Sequence, residues 1–276
     1  MTYASEAFEL AGKRIVREAA ATGQFDKCVC YTPELVSDEV RNSKTFAVKR
    51  GGGLWCWKPD CIYSELQKME YGDILLYCDS GCRLFPGREW GKYWRRLNNH
   101  DMIVQRLNRR MDCFCRSELI KEFGDLGYKT FRDRQFMATV VFLRKTLLTE
   151  KFISEWRNYM INRIELFSDV PPEMRAMQHK TFVESRHDQS IFSALVYRYL
   201  KSAEGGRRIL TIWDHVEWLD LFSSQVIHAA RWRGDGKYRP DGLFSMPFPY
   251  IIRFIINFAY RPFVLKPLRF IQKLKW

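Results

Sequence analysis

The chain has 276 residues, with 46% hydrophobic and 28% charged side chains, which excludes a disordered chain, and 16 Gly with 10 Pro exclude collagen-like and low-complexity classes. The formal charge is +13, and residues 242–276 carry six basic side chains and no acidic one, so nearly half of the excess lies in the last eighth of the chain. A basic tail on a moderately basic domain predicts anionic targets: lipid head groups, nucleic acid or phosphorylated substrates.

Phe8, Ala11, Ile15, Val16 and Ala19 form a helical stripe over residues 6–22, ended by Gly23. Residues 1–5 lead straight into that helix without a secretory pattern, and no run of about 18 apolar residues predicts a membrane span. The expected setting is therefore cytoplasmic. Residues 27–31 read as a strand. The eight cysteines sit at 28, 30, 56, 61, 78, 82, 113 and 115, with no CxxC pair of the kind a zinc ribbon needs. They are expected to be reduced structural thiols.

Next comes Arg50-Gly51-Gly52-Gly53-Leu54-Trp55-Cys56-Trp57-Lys58-Pro59. Three glycines permit unusual backbone angles, two tryptophans straddle a cysteine, and Lys58 is suited to a phosphate or a sugar hydroxyl. A helix over 60–70 and a continuous apolar strand, Ile74–Cys78, follow. The strand opens from Gly72-Asp73 and ends in Asp79-Ser80-Gly81-Cys82. Ligands of open α/β sheets bind at the carboxyl ends of strands, and a carboxylate there can face a metal–diphosphate. The same three residues are also good turn formers. Residues 136–143 read as a second buried strand, 149–167 as a helix and 208–213 as a late strand. Glu184-Ser185-Arg186-His187-Asp188-Gln189-Ser190 opens a helix over 188–201. Asp188 is suited to a helix N-cap, but four polar residues of different chemistry exceed what a cap needs. The alternation of strands and helices predicts a mostly parallel sheet with helices on both faces.

Taken in order, RGGGLWCWKP, GDILLYCDSGC and RHDQS resemble bacterial capsular-polysaccharide and lipopolysaccharide-type glycosyltransferases of the GT-A fold. The resemblance spans residues 2–230 and implies a Rossmann-like α/β domain over 1–232, a linker over 233–246 and a tail over 247–276. It implies transfer of a hexose from a nucleotide-sugar to a glycan or lipid-linked acceptor, in surface polysaccharide synthesis. Tyr3, Ala4 and Ser5 resemble the end of the first strand, where such enzymes hold the nucleotide base. Lys58, Asp79, Ser80 and Gly81 would complete the donor side. Trp55, Trp57, His187 and Gln189 would line the sugar and acceptor, and Asp188 and Asp79 would be catalytic. The Asp-Gln pair resembles that of retaining enzymes. The family's DxD motif supplies two carboxylates to a divalent metal, whereas Gly81 stands at the third position here. Asp79 with His228 is the remaining candidate set for Mn²⁺ or Mg²⁺, with Asp73 expected on the same strand as Asp79.

In the tail, Arg253, Asn257 and Arg261 recur every four residues, while Tyr250, Ile251, Phe254, Ile255, Phe258 and Ala259 fill the rest of that helical pattern. After Pro262, Lys266, Arg269 and Lys273 alternate with Leu268, Ile271 and Leu274. That pattern suits a helix lying on an anionic membrane surface, which places the protein peripherally on the inner face of the membrane. Two other readings fit the charge and the 15% aromatic content: a nucleic-acid-binding protein and a non-catalytic interaction protein on the same fold. No helix-turn-helix, RNA-recognition or zinc signature accompanies them, so nucleic acid is not the expected partner.

Overall fold

A computed structural model describes residues 1–217 and 225–232; the expected linker and basic tail lie outside the described residues. Nine strands are present among them: β1 Thr2–Tyr3, β2 Cys30–Tyr31, β3 Ile74–Cys78, β4 Arg83–Leu84, β5 Met102–Arg110, β6 Arg134–Phe136, β7 Val140–Arg144, β8 Ile209–Trp213 and β9 Ile227–His228. The chain divides into two compact units. Met1–Ser5, Val29–Asp79 and Tyr93–Asp214 form the first; Glu6–Cys28, Ser80–Lys92 and the described residues from His215 onward form the second. No helix among the described residues is long and apolar enough to cross a membrane.

The first unit is a mixed α/β fold. Its main sheet runs β3-β7-β5-β6, with β8 on the other side of β5. Only β5–β8 pairs in parallel there; β3–β7, β5–β7 and β5–β6 are antiparallel. The mostly parallel sheet expected from the alternation of elements is thus corrected. A buried strand reads as one apolar run whichever way it points, so β7 gave no sign of its direction. β3, β5 and β8 nevertheless share one direction, because β7 is antiparallel to both β3 and β5. Beside β3, Met1 donates its N-terminal nitrogen to Leu76 O at 2.7 Å and accepts from Cys78 N at 3.2 Å, and β1 pairs in parallel with β2. The strand expected over 27–31 shrinks to β2, and no disulfide links any of the eight cysteines.

The strand expected over 136–143 is broken. Its register on β5 shifts between Ile103–Phe142 and Arg106–Phe136, leaving Met137, Ala138 and Thr139 out of the regular ladder. Met137 N still bonds Gln105 O, and Thr139 O accepts Asp79 N at 2.9 Å. The break therefore turns backbone carbonyls toward the end of β3.

Three helices pack in the core of this unit. Trp57–Leu66 and Leu147–Asn162 bury apolar residues at helical spacing, the latter Leu148, Phe152, Ile153, Trp156 and Met160 behind a Thr146–Thr149 capping box. His187–Lys201 is buried almost all round in its first ten residues, and Phe192 packs against Phe152 and Trp156. Polar groups on so buried a helix need partners. Ser190 donates to Phe114 O at 2.7 Å, and Ser193 accepts from Phe136 N at 2.8 Å.

The glycine segment forms a single turn of left-handed helix. Gly51, Gly52, Gly53, Leu54 and Trp55 all have positive φ, and Leu54 N bonds Arg50 O at 2.8 Å. Each non-glycine residue there costs about 1–2 kcal/mol, which the burial of Leu54 offsets. A Cβ on Gly53 would lie 2.7 Å from Phe46 Cα, whereas one on Gly52 would meet only Trp57 Nε1 at 3.7 Å. Gly53→Ala is expected to destabilise the protein by about 3 kcal/mol and Gly52→Ala by about 1 kcal/mol, read from urea unfolding.

In the second unit the helix Glu9–Thr22 organises residues 80–84. Arg14 donates to Ser80 O and to Cys82 O, both at 2.8 Å. Glu18 pairs with Arg14 at 3.0 Å and with Arg83 at 2.5 Å, and the Trp232 ring lies 5.4 and 5.7 Å from the two guanidinium groups. β4 pairs with β9, setting Arg83 opposite His228.

Candidate functional site

The left-handed turn delivers the chain into the helix Trp57–Leu66 with Lys58 pointing inward, and that lysine is the centre of the site. Lys58 is 2% exposed. Its Nζ lies 2.7 Å from Asp188 Oδ2, 3.2 Å from Asp79 Oδ1 and 3.2 Å from Ala138 O. Four segments far apart in sequence thus meet at one ammonium: the start of a helix, the carboxyl end of β3, the break between β6 and β7, and the start of the helix His187–Lys201. The rings of Tyr77 and Trp57 stand 5.5 and 6.0 Å from Nζ.

Asp79 follows the last residue of β3. Its Oδ1 accepts from Tyr77 Oη at 2.6 Å, and its side chain keeps 31% exposure. No contact engages Oδ2 among the described residues. Asp188 sits in the first turn of its helix, whose N-cap position is Arg186 with no side-chain cap. Its carboxylate therefore serves Lys58 and not its own helix terminus.

Burial alone would push Lys58 down, but the charges of Asp188 and Asp79 outweigh it and hold the ammonium above the usual lysine value. Burial raises the Asp188 carboxyl, with Lys58 pulling the other way and Asp79 adding to the rise. Both directions hold at once, because one ammonium serves two carboxylates. Burial and then Asp79 push the Tyr77 hydroxyl well up, so it stays a donor.

His187 has φ +45°, and its Nε2 lies 3.1 Å from Asp169 Oδ1, which also accepts from Arg50 at 2.7 Å. The Trp55 ring, half-buried, stands 5.2 Å from the imidazole. Gln189 donates to Gln135 Oε1 at 2.8 Å and is half-buried. Tyr3 and Trp57 stack at 3.7 Å and 15° inside the hydrophobic core, and Trp57 Nε1 donates to Gly51 O. These two rings are packing partners of the turn. Ala4 is buried with its N–H on Tyr31 O, and Ser5 is half-buried.

Several residues here carried no assignment in the sequence reading. Tyr77 was hidden in the apolar run of β3, although a hydroxyl two residues before Asp79 on a strand shares its face. Gln135 opens the segment 135–143 that resembles the family's Gln-containing strand, without a role of its own there; Asp169 and the Ala138 carbonyl had no signal.

The DxD-like motif divides between the units: Asp79 belongs to the first, Ser80 and Gly81 to the second. A Cβ on Gly81 would lie 3.1 Å from both Arg231 Cα and Trp232 N, and Gly81 O accepts from Trp232 N at 3.0 Å. Asp73 is excluded as a ligand beside Asp79. It precedes β3 and accepts from Glu70 N, and five intervening strand residues put it about 20 Å away. Among the described residues, no three His, Cys, Asp or Glu side chains converge. Mn²⁺ and Mg²⁺ are held by one or two carboxylates together with water and substrate phosphates; here both carboxylates already share the Lys58 ammonium, which leaves a second cation one open oxygen, Asp79 Oδ2.

No family model and no curated protein matches the chain. Among solved structures, the chain is similar to mouse xyloside xylosyltransferase 1 in its apo form, with a TM-score of 0.41, 10% identity, and 79% of this chain and 84% of that chain covered. It is similar to galactosyltransferase LgtC in complex with donor and acceptor sugar analogs, with a TM-score of 0.33, 13% identity, and coverage of 77% and 83%. Likeness at this level assigns neither a fold family nor an activity to the chain, and the functional reading rests on the site.

Burial depresses His187 below its ordinary value of 6.5, with Asp169 and Asp188 offsetting part of the fall. A depressed folded value gives stability that is complete above pH 6.5 and is lost as pH falls through the folded value. Wild type is expected to lose more thermal stability than His187→Asn between pH 8 and pH 5, in melts at matched ionic strength; asparagine tolerates positive φ.

Proposed function

We propose that the protein is a glycosyltransferase of the GT-A type that moves a hexose from a nucleotide-sugar to a glycan or lipid-linked acceptor in surface polysaccharide synthesis. The observation that carries this reading is the meeting of Asp79, at the carboxyl end of a buried strand, with Asp188, at the start of the helix His187–Lys201, over one buried lysine. The three sequence segments of the family resemblance supply those three residues.

The chemistry follows from charge. As the bond from the anomeric carbon to the diphosphate oxygen breaks and the acceptor hydroxyl oxygen bonds to that carbon, the sugar gains oxocarbenium character, the leaving group gains negative charge, and the acceptor proton passes to the departing diphosphate. A carboxylate beside the sugar stabilises the first. Asp188, paired with Lys58 at 2.7 Å, takes that role, and Gln189, one residue on, faces the same substrate. Asp79 Oδ2, open and on an exposed edge, accepts a hydroxyl of the donor. His187 and the half-buried Trp55 offer a polar group and an aromatic face to the acceptor. Retention of configuration is proposed on the resemblance of Asp188-Gln189 alone.

Incubation with a panel of nucleotide-sugars is expected to release nucleoside diphosphate from one of them. Asp79→Ala should cost about 3–4 kcal/mol of transition-state stabilisation, or two to three decades in rate, while Lys58 keeps Asp188 as partner and the fold survives. Asp188→Asn should lower kcat far more than nucleotide affinity. An Asp79→Ala protein with normal turnover sinks the assignment.

The basic segment 247–276 is proposed to hold the enzyme on the inner membrane surface, near a lipid-linked acceptor. Each basic residue near an anionic leaflet contributes about 1 kcal/mol. A chain ending at Pro240 should stop sedimenting with phosphatidylserine vesicles; undiminished sedimentation would leave the tail without that role.

A further inference from the structure

The proposed reaction needs two carboxylates, and the resemblance attaches a divalent metal to the first of them. The geometry around Lys58 points elsewhere. An ammonium has three donors. Lys58 donates to Ala138 O at 3.2 Å and is ion-paired with Asp188 Oδ2 at 2.7 Å and Asp79 Oδ1 at 3.2 Å. Two aromatic rings stand within about 6 Å of it, the distance at which a cation is attracted to a ring face. Asp79 Oδ1 is shared between Tyr77 and Lys58, so one open oxygen remains on that residue. The motif's third position is Gly81, which brings no carboxylate.

Resting on the transferase reading, we infer that Lys58 is the permanent cation of this site. Asp79 and Asp188 take no Mn²⁺ or Mg²⁺, and Asp79 Oδ2 meets a ligand hydroxyl. Lys58 acts through the carboxylates as a positioning residue, since it is buried behind them.

Two measurements on the full chain test this. In the first, Mn²⁺ is titrated into the protein and followed by its electron paramagnetic resonance, alone and with each of a panel of nucleoside diphosphates. The expected result is no Mn²⁺ held by wild type; one Mn²⁺ per chain under any of these conditions overturns the inference. In the second, donor turnover and nucleoside diphosphate Kd are compared in EDTA and in Mn²⁺. Both should agree within about twofold, and a tenfold or greater gain from Mn²⁺ overturns it. Lys58→Met should lower kcat in EDTA about a hundredfold with the nucleotide Kd nearly unchanged. Near-normal kcat in that variant counts against the inference, and if the variant does not fold, the wild-type measurements decide alone. Should no donor be turned over and no nucleotide bind, the transferase reading falls while the Mn²⁺ titration still decides the cation.

Discussion

The buried ion cluster of Lys58, Asp79 and Asp188 is the constraint on which the first unit depends. An isolated ammonium at 2% exposure would cost several kcal/mol even after relaxation. The chain meets that cost by bringing together segments that are 21, 59 and 109 residues apart, from Lys58 to Asp79, from Asp79 to Ala138 and from Asp79 to Asp188. Each of those segments has an irregularity at the point of contact. The helix Trp57–Leu66 is entered through a left-handed turn, β3 stops at Cys78, the β6–β7 strand breaks at 137–139, and the helix His187–Lys201 opens on a residue with positive φ. Regular elements would not aim these groups at one point.

That arrangement explains where the backbone strain lies. Leu54, Trp55 and His187 are three of the four non-glycine residues with positive φ among the described residues. Trp55 and His187 are neighbours in space, and both adjoin residues of the ion cluster in sequence or contact. Strained backbone persists where the surroundings over-determine it. Here Trp57 ties its indole N–H to Gly51 O and stacks on Tyr3, while Asp169 holds both His187 and Arg50. The tryptophans that read as a binding platform divide the work: Trp57 supports the turn from within the core, and Trp55 stays half-buried beside His187.

The four longest helices and β3 were legible in the sequence because their signals are local. Phe152, Ile153 and Trp156 repeat at helical spacing, and Ile74–Cys78 is one apolar run. Asp79, Asp188 and Lys58 were legible as residue types at suggestive positions. What joins them was not. Strand direction, the break at Ala138 and the pairing of His187 with Asp169 are properties of distant contacts, and one sequence carries no record of these. The reading of residues 136–143 as a single strand failed for the same reason: Met137 and Ala138 are apolar enough to continue it, and only the register on β5 interrupts it. Gly81 was read as a lost ligand. Its packing under Arg231 and Trp232 gives it a steric reason of its own.

The charge of the cluster also bears on which part of a nucleotide-sugar it can face. Two carboxylates and one ammonium leave a net charge of about −1. A diphosphate oxygen held 4 Å from that charge would be repelled by about 1 kcal/mol in water and about 4 kcal/mol at an effective dielectric of 20. A sugar hydroxyl in the same place instead gains a charge-assisted hydrogen bond, worth about 1.5–3 kcal/mol. With a metal in the site the preference would reverse, and Asp79 would read the diphosphate through the ion. On the proposed transferase reading, with Lys58 as the cation and buried behind the carboxylates, Asp79 would read the sugar directly. Donor specificity would then reside in the hydrogen-bond geometry of Asp79 Oδ2, since Oδ1 is engaged by Tyr77 and Lys58. An analogue lacking the matching hydroxyl would leave that oxygen without a donor inside the complex, the kind of loss by which polar sites discriminate between sugars.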